Sequence, residues 1–129
     1  MKIKIFLIED DLDDIEILEY ALNKQGVLYE MIYVNDGSAA IDFINSIKQI
    51  PDIIILDMNL PKVHGRDVIP VIKASPVFKK IPLVILTTSS AKEDMEYSYK
   101  NGADKYLIKP TSVEQIEENV KIIVGLVSK

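Results

Sequence analysis

Four short apolar runs end abruptly in polar residues: Ile3–Ile8 in Glu9-Asp10, Ile53–Leu56 in Asp57, Leu83–Leu86 in Thr87, and Tyr106–Ile108 in Lys109. Uniformly apolar runs of this length read as strands buried on both faces. Between them lie stretches of helical period, which predicts βαβ units and an α/β fold with a parallel sheet covered on both sides. Leu28–Val34 alternates and is less apolar, so it is expected to be an edge strand.

The helices have signatures of their own. Leu12, Ile15, Leu18 and Leu22 recur at helical spacing behind Asp13 and Asp14, acids suited to a first turn, and Gly26 closes that helix. Asp36-Gly37-Ser38 opens a second, carrying Ala40, Ile41, Phe43, Ile44 and Ile47, and Pro51 is expected to end it. A third follows Gly65 and must start late or kink, because Pro70 would fall in its interior. Ser90-x-x-Glu93 and Thr111-x-x-Glu114 fit capping boxes for the last two. The fourth helix, with Ala91, Met95 and Tyr99, has a weak apolar stripe. The fifth has a clean one in Val113, Ile116, Val120, Ile123 and Val124.

The chain has 129 residues, is 48% hydrophobic and 27% charged, and is expected to form one domain over 1–129. A net charge of −5 gives no sequence-wide attraction for nucleic acid or an anionic membrane. The absence of cysteine excludes disulfides and cysteine-zinc sites and fits a reducing compartment. Met1-Lys2-Ile3-Lys4 leads into an apolar run too short for a signal peptide or a membrane span, so a cytoplasmic location is expected.

Parallel strands bring their carboxyl ends to one edge, where ligands of open α/β sheets bind. Glu9, Asp10 and Asp57 would meet there, and carboxylates brought together call for a cation. Mg²⁺ suits them, since it takes oxygen ligands from few carboxylates and keeps sites for water or phosphate. An EF-hand reading of Asp10–Asp14 fails because Ile15 stands where the loop requires glycine. Thr87 or Thr88 could cap the following helix, and Lys109 could be a surface charge before a turn-forming proline. Beside acids, however, Lys109 makes sense as a counter-charge. Either isomer of the Lys109–Pro110 bond is compatible with the sequence. Metal-binding acids, a separate carboxylate, a hydroxyl and an amine suit phosphoryl transfer onto Asp57. There is no G-x-G-x-x-G or G-x-x-x-x-G-K-[ST] to suggest a nucleotide site.

With Ile8-Glu9-Asp10-Asp11, Leu56-Asp57-Met58-Asn59-Leu60-Pro61 with Gly65, Leu86-Thr87-Thr88-Ser89 and Tyr106-Leu107-Ile108-Lys109-Pro110 in order, the chain closely resembles response-regulator receiver domains of two-component signalling. The resemblance covers essentially its whole length. It implies a doubly wound, flavodoxin-like five-stranded sheet of order 2-1-3-4-5, an order for which a receiver is a standard example. It further implies Asp57 as phosphoacceptor, and Mg²⁺ on Asp10, Asp57 and the Asn59 carbonyl, with Glu9 acting mostly through water. Thr87 and Lys109 would bond the phosphoryl oxygens, and Tyr106 would turn inward as Thr87 is drawn to the phosphate. The plainer reading of Tyr106 is strand packing.

The segments around Asn59–Val68 and Leu86–Ser89 also look like the small stand-alone regulators paired with phytochrome-type histidine kinases. Thr88 stands where receivers commonly carry a smaller residue, which bears on the phosphorylation rate. His64 replaces a frequent acid and reads as a turn residue; Thr111 replaces a frequent aromatic.

The function implied is a phosphorylated signalling module, not a turnover enzyme. It would take its phosphoryl group from a histidine kinase or phosphotransfer protein. With Lys129 directly after the last helix, no output domain is expected. The module would therefore act by contact, through the face of the fourth helix, fifth strand and fifth helix, on a protein partner or a second copy. Two alternatives stand beside it. One is a Mg²⁺-dependent phosphatase with Asp57 as nucleophile, although Asn59 occupies the position where such enzymes usually place a general acid. The other is a receiver-like module that binds partners without being phosphorylated.

Overall fold

A computed structural model describes residues 2–127. Five strands and five helices alternate: β1 (Ile3–Ile8), α1 (Leu12–Lys24), β2 (Tyr29–Val34), α2 (Gly37–Ser46), β3 (Ile53–Leu56), α3 (Gly65–Ala74), β4 (Leu83–Thr87), α4 (Lys92–Lys100), β5 (Lys105–Ile108) and α5 (Val113–Val127). A 3₁₀ turn at Phe78–Lys80 leads into β4. All strands pair in parallel, in the order β2-β1-β3-β4-β5. The fold class and strand order are those expected.

Strand parity divides the core. Phe6, Ile8, Ile54, Leu56 and Ile85 face α2 and α3, where they pack with Ile44, Val68, Ile69, Ile72 and Phe78. Ile5, Leu7, Ile53, Ile55 and Val84 face the other way, onto Ile15, Leu18 and Leu22 of α1 and Val120 and Ile123 of α5. β1, β3 and β4 are buried on both faces, except for exposed Lys4, which explains their unbroken apolar runs. β2 is half-buried and lies at the edge, as its alternation predicts.

Several local expectations are corrected. Leu12 is 66% exposed at the mouth of α1 and lies outside the apolar stripe, which runs through Ile15, Leu18, Ala21 and Leu22. Pro51 does not end α2: the helix stops at Ser46, and Ile47 follows in a left-handed conformation at φ 49, exposed. Ser90 caps nothing. The residue before α4 is Ala91, with no side-chain cap, and Ser89 Oγ accepts from the Ala91 amide instead. At α5 the box moves one residue along: Ser112 Oγ accepts from the Gln115 amide, while Gln115 Oε1 accepts from the Thr111 amide and hydroxyl. Val113 is correspondingly exposed. Gly26 closes α1 as expected, at φ 71 with its amide donating to the Asn23 carbonyl.

α3 neither starts late nor excludes Pro70. It begins at Gly65 with His64 as its cap, His64 Nδ1 accepting from the Arg66 amide, and Pro70 lies inside it. A proline has no N–H for the carbonyl four residues back. Here that carbonyl belongs to Arg66, and the Tyr97 hydroxyl of α4 donates to it at 3.2 Å. The Arg66 guanidinium lies 4.2 Å from the centre of the Tyr97 ring, a cation–π contact. The proline thus frees an acceptor that ties α4 to α3.

Tyr97→Phe is expected to lower stability by about 1 kcal/mol, the usual net value of one such bond. Pro70→Ala returns an N–H to the Arg66 carbonyl and should shrink that loss in the double variant. Urea denaturation of the four proteins measures it, and fully additive effects would rule out the shared carbonyl.

Candidate functional site

The ladder continues one residue past the strands and sets the site. The Glu9 amide donates to the Val34 carbonyl at 3.1 Å, the Asp57 amide to the Ile8 carbonyl at 3.0 Å, and the Lys109 amide to the Thr87 carbonyl at 2.8 Å. Glu9, Asp57 and Lys109 are therefore fixed at the carboxyl edge by backbone pairing before their side chains meet. α3 presses closely on the Asp57 turn: the Gly65 amide donates to the Met58 carbonyl, and a Cβ at Gly65 would come within 2.2 Å of the Asp57 carbonyl oxygen. Only glycine fits there.

Glu9 and Asp57 are each 3% exposed. Glu9 Oε2 accepts from the Asp10 and Asp11 amides at 3.0 and 3.2 Å. Asp57 Oδ1 accepts from the Asn59 amide at 3.1 Å. Lys109 Nζ reaches Asp14 Oδ2 at 2.6 Å, Glu9 Oε1 at 2.8 Å and Asp57 Oδ2 at 3.1 Å. One carboxylate oxygen from each of Glu9, Asp10 and Asp57 lies within 4.8 Å of the others. An all-oxygen set of this kind suits a hard divalent cation.

An open cleft of about 570 Å³ leads to these groups, lined by residues that include Asp10, Asp57, Asn59, Thr88 and Lys109. Thr88 rather than Thr87 lines it, and the Asn59 side-chain Nδ2 donates to Thr88 Oγ1 at 3.4 Å. Thr87 is wholly buried, its Oγ1 accepting from the Ser89 amide at 3.3 Å. Tyr106 is inward and 7% exposed, packed in the core with its hydroxyl donating to the Ser89 carbonyl at 2.8 Å. Burial raises its pKa above the ordinary tyrosine value. The Lys109–Pro110 bond is trans.

Two participants escaped the sequence reading. Asp14 looked like a dipole-satisfying acid of a first turn, yet it makes the shortest contact to Lys109, 95 positions away. The available signal was its place one turn beyond Asp10-Asp11, but nothing local names its partner. Ser89 is the other: it receives the Tyr106 hydroxyl on its carbonyl while its own hydroxyl donates to Asp94 Oδ2 on α4 at 2.6 Å.

The response regulator receiver domain model matches residues 5–121. The chain belongs to that family. Among curated relatives of this receiver, the probable methanogenesis regulatory protein FilR2 of Methanothrix harundinacea is 34% identical over 92% of this chain and 79% of its own length. Response regulator Rcp1 of Synechocystis is 34% identical over 91% of this chain and 83% of its own. The crystal structure of the Mn²⁺-bound form of Rcp1 superposes with a TM-score of 0.84, at 34% identity over 94% and 91% of the two chains. That of the phosphorylated cyanobacterial phytochrome response regulator RcpA gives 0.88 at 35% identity, over 100% and 96%. Among the described residues of this receiver, no helix is long and apolar enough to cross a membrane.

The charges at the site act on one another. Burial pushes the Glu9 carboxyl up to about 7; the Lys109 bond opposes this and the Asp57 charge adds to it. Burial disfavours the Lys109 ammonium, but its bonds to Asp14, Glu9 and Asp57 outweigh that and hold it above the ordinary lysine value. With divalent ions chelated, Glu9 favours folding most in its neutral form. Stability is therefore expected to fall as pH rises from about 4.5 to about 7. Asp36, held low chiefly by the Ala39 amide, acts in the opposite sense and only as pH falls through the range below 3.8. Urea midpoints across pH 4–8 measure the slope, which Glu9→Gln should flatten.

Proposed function

We propose that this receiver accepts a phosphoryl group on Asp57 from a phosphohistidine of a kinase or phosphotransfer protein and signals through changed protein contacts. The observation that carries this reading is the buried Asp57 carboxylate, set between the Lys109 ammonium and two further acids able to share a cation. In the transfer an Asp57 oxygen bonds to phosphorus as the P–N bond breaks. The electron pair stays on the imidazole of the donor histidine.

Mg²⁺ fits the oxygen donors and would be held by Glu9, Asp10, Asp57 and the Asn59 carbonyl; bound there, it neutralises charge developing on the phosphoryl oxygens. Lys109 supplies the second positive charge and bonds one oxygen. The Thr87 hydroxyl bonds another, and the Ser89 amide that it now satisfies would need a new partner. Ser89 also holds Tyr106 and Asp94, so a shift there reaches β5 and α4 together. α4 buries only Ser98, which makes it the element that most readily yields. The output surface is accordingly the α4, β5 and α5 face, engaging a protein partner or a second copy.

Residues 1–129 are read as a single receiver domain acting in the cytoplasm without nucleic-acid or membrane contact. The similarity to the phytochrome response regulator RcpA supports a phytochrome-type kinase as donor. Asn59, where a phosphatase would place its general acid, supports a phosphoacceptor over a turnover enzyme.

Incubation with acetyl phosphate and Mg²⁺ should add one phosphoryl group by intact mass. Asp57→Asn should abolish the addition, and Lys109→Ala should slow it by about tenfold or more, as expected for loss of a charge aimed at the reacting group. No added mass on the wild type, or undiminished addition in Asp57→Asn, would falsify the assignment.

A further inference from the structure

The Lys109 ammonium has three protons and three carboxylate oxygens to receive them, and the shortest bond goes to the one acid that the proposed chemistry does not use. Glu9 and Asp57 have another claim on them, because both belong to the carboxylate set suited to a cation, and Asp57 is the proposed acceptor. Asp14 lies outside that set. It sits in the first turn of α1, a helix fixed to the sheet by Ile15 and Leu18 beside it, and it is itself half-buried. Its carboxylate therefore reaches Lys109 from a rigid element. Asp11 and Asp13 line the same cleft but do not ion-pair with Lys109, so among the acids of the α1 start Asp14 alone anchors the head of that flexible side chain.

We propose that Asp14 is a positioning residue for phosphoryl transfer. It holds the Lys109 ammonium beside Asp57 while Glu9 and Asp57 are drawn to cation and phosphorus. This rests on the reading of Asp57 as acceptor. Lys109 stays an ammonium throughout: it exchanges its longest bond, to Asp57 Oδ2, for a phosphoryl oxygen, and keeps the bond to Asp14. With an acyl phosphate as donor, the new P–O bond forms at Asp57, the donor's acyl P–O bond breaks, and a free carboxylate leaves.

The rival account makes Asp14 merely one more negative charge, and it predicts the opposite sign. Removing a negative charge beside a site that admits an anionic donor should lower the donor concentration needed and speed the reaction. Loss of a positioning contact should slow it.

Wild type, Asp14→Asn, Asp14→Glu, Lys109→Ala and the Asp14→Asn/Lys109→Ala double variant are compared with acetyl phosphate and Mg²⁺, following intact mass over time at several donor concentrations. Asp14→Asn is expected to lower the maximal rate by about tenfold with little change in the half-saturating donor concentration, and Asp14→Glu to restore part of it. In the Lys109→Ala background, Asp14→Asn should cost nothing further, because its effect passes through the lysine. The Lys109 ammonium resonance, observed by nitrogen-edited NMR in the wild type, should broaden in Asp14→Asn. An unchanged or faster maximal rate in Asp14→Asn, or an equal loss in both backgrounds, overturns the role of Asp14 while leaving Asp57 as acceptor. A wild type that takes no phosphate overturns the functional reading and any role in transfer with it.

Discussion

One ammonium holds the carboxyl edge of this sheet together. Glu9, Asp57 and Asp14 come from β1, β3 and α1, and each gives an oxygen to Lys109 at the end of β5. Asp10 stands beside them with no share in that charge. Four acids against one base leave an excess of negative charge where two of the acids are buried, and at low dielectric such charges repel strongly. The arrangement persists because every buried oxygen has a donor: the Asp10 and Asp11 amides turn back onto Glu9, and the Asn59 amide onto Asp57. The site is thus satisfied in hydrogen bonds while unbalanced in charge. A divalent cation relieves that imbalance, and an incoming phosphoryl group restores it.

That tension has to be passed outward to matter. In the proposed reading the route begins at Thr87, whose buried hydroxyl is committed to the Ser89 amide, and Ser89 touches both the Tyr106 hydroxyl and Asp94. Three elements therefore meet at one short turn after β4. Tyr97 adds a lateral tie, from α4 to the carbonyl that Pro70 leaves free in α3, so α4 is held by polar contacts on two sides and by little apolar burial. Polar ties of about 1 kcal/mol each can be exchanged at modest cost, whereas a packed apolar face cannot.

The sheet was legible because burial on both faces demands unbroken apolar runs, and β1, β3 and β4 have them with only Lys4 interrupting. The positions of Glu9, Asp57 and Lys109 were legible for a related reason, since a polar residue directly after such a run must sit at the sheet edge; Thr87, read the same way, is the buried last residue of β4, and Thr88 lines the cleft. What failed was local. Thr111 lost its cap to Ser112, one position away, and Ser90 stands before a helix with no side-chain cap, where Ser89 instead holds the Ala91 amide and Asp94; several hydroxyls in a row offer the same pattern and only tertiary contact chooses among them. Pro70 misled for a different reason. The cost of an interior proline includes the orphaned carbonyl, and a tyrosine 27 residues later gives that carbonyl a partner. Asp14 was hidden by the same kind of distance.

α4 shows why weak anchoring and signalling belong together. Its one buried residue, Ser98, satisfies its hydroxyl within the helix at the Asp94 carbonyl and rests 4.0 Å from Met58 Sδ. Met58 follows Asp57 directly, and its amide neighbour Asn59 is bonded to the Asp57 carboxylate. The deepest contact of α4 therefore lands one residue from the proposed acceptor; Met95 and Tyr97, half-buried, pack against the core, and its polar contacts run to Ser89, Arg66 and Tyr106. A helix with an apolar stripe as strong as that of α5 would be pinned by the core and indifferent to a hydrogen bond gained or lost at Thr87. With serine at the deep position, α4 is held largely through the same polar groups that the proposed phosphorylation of Asp57 would rearrange.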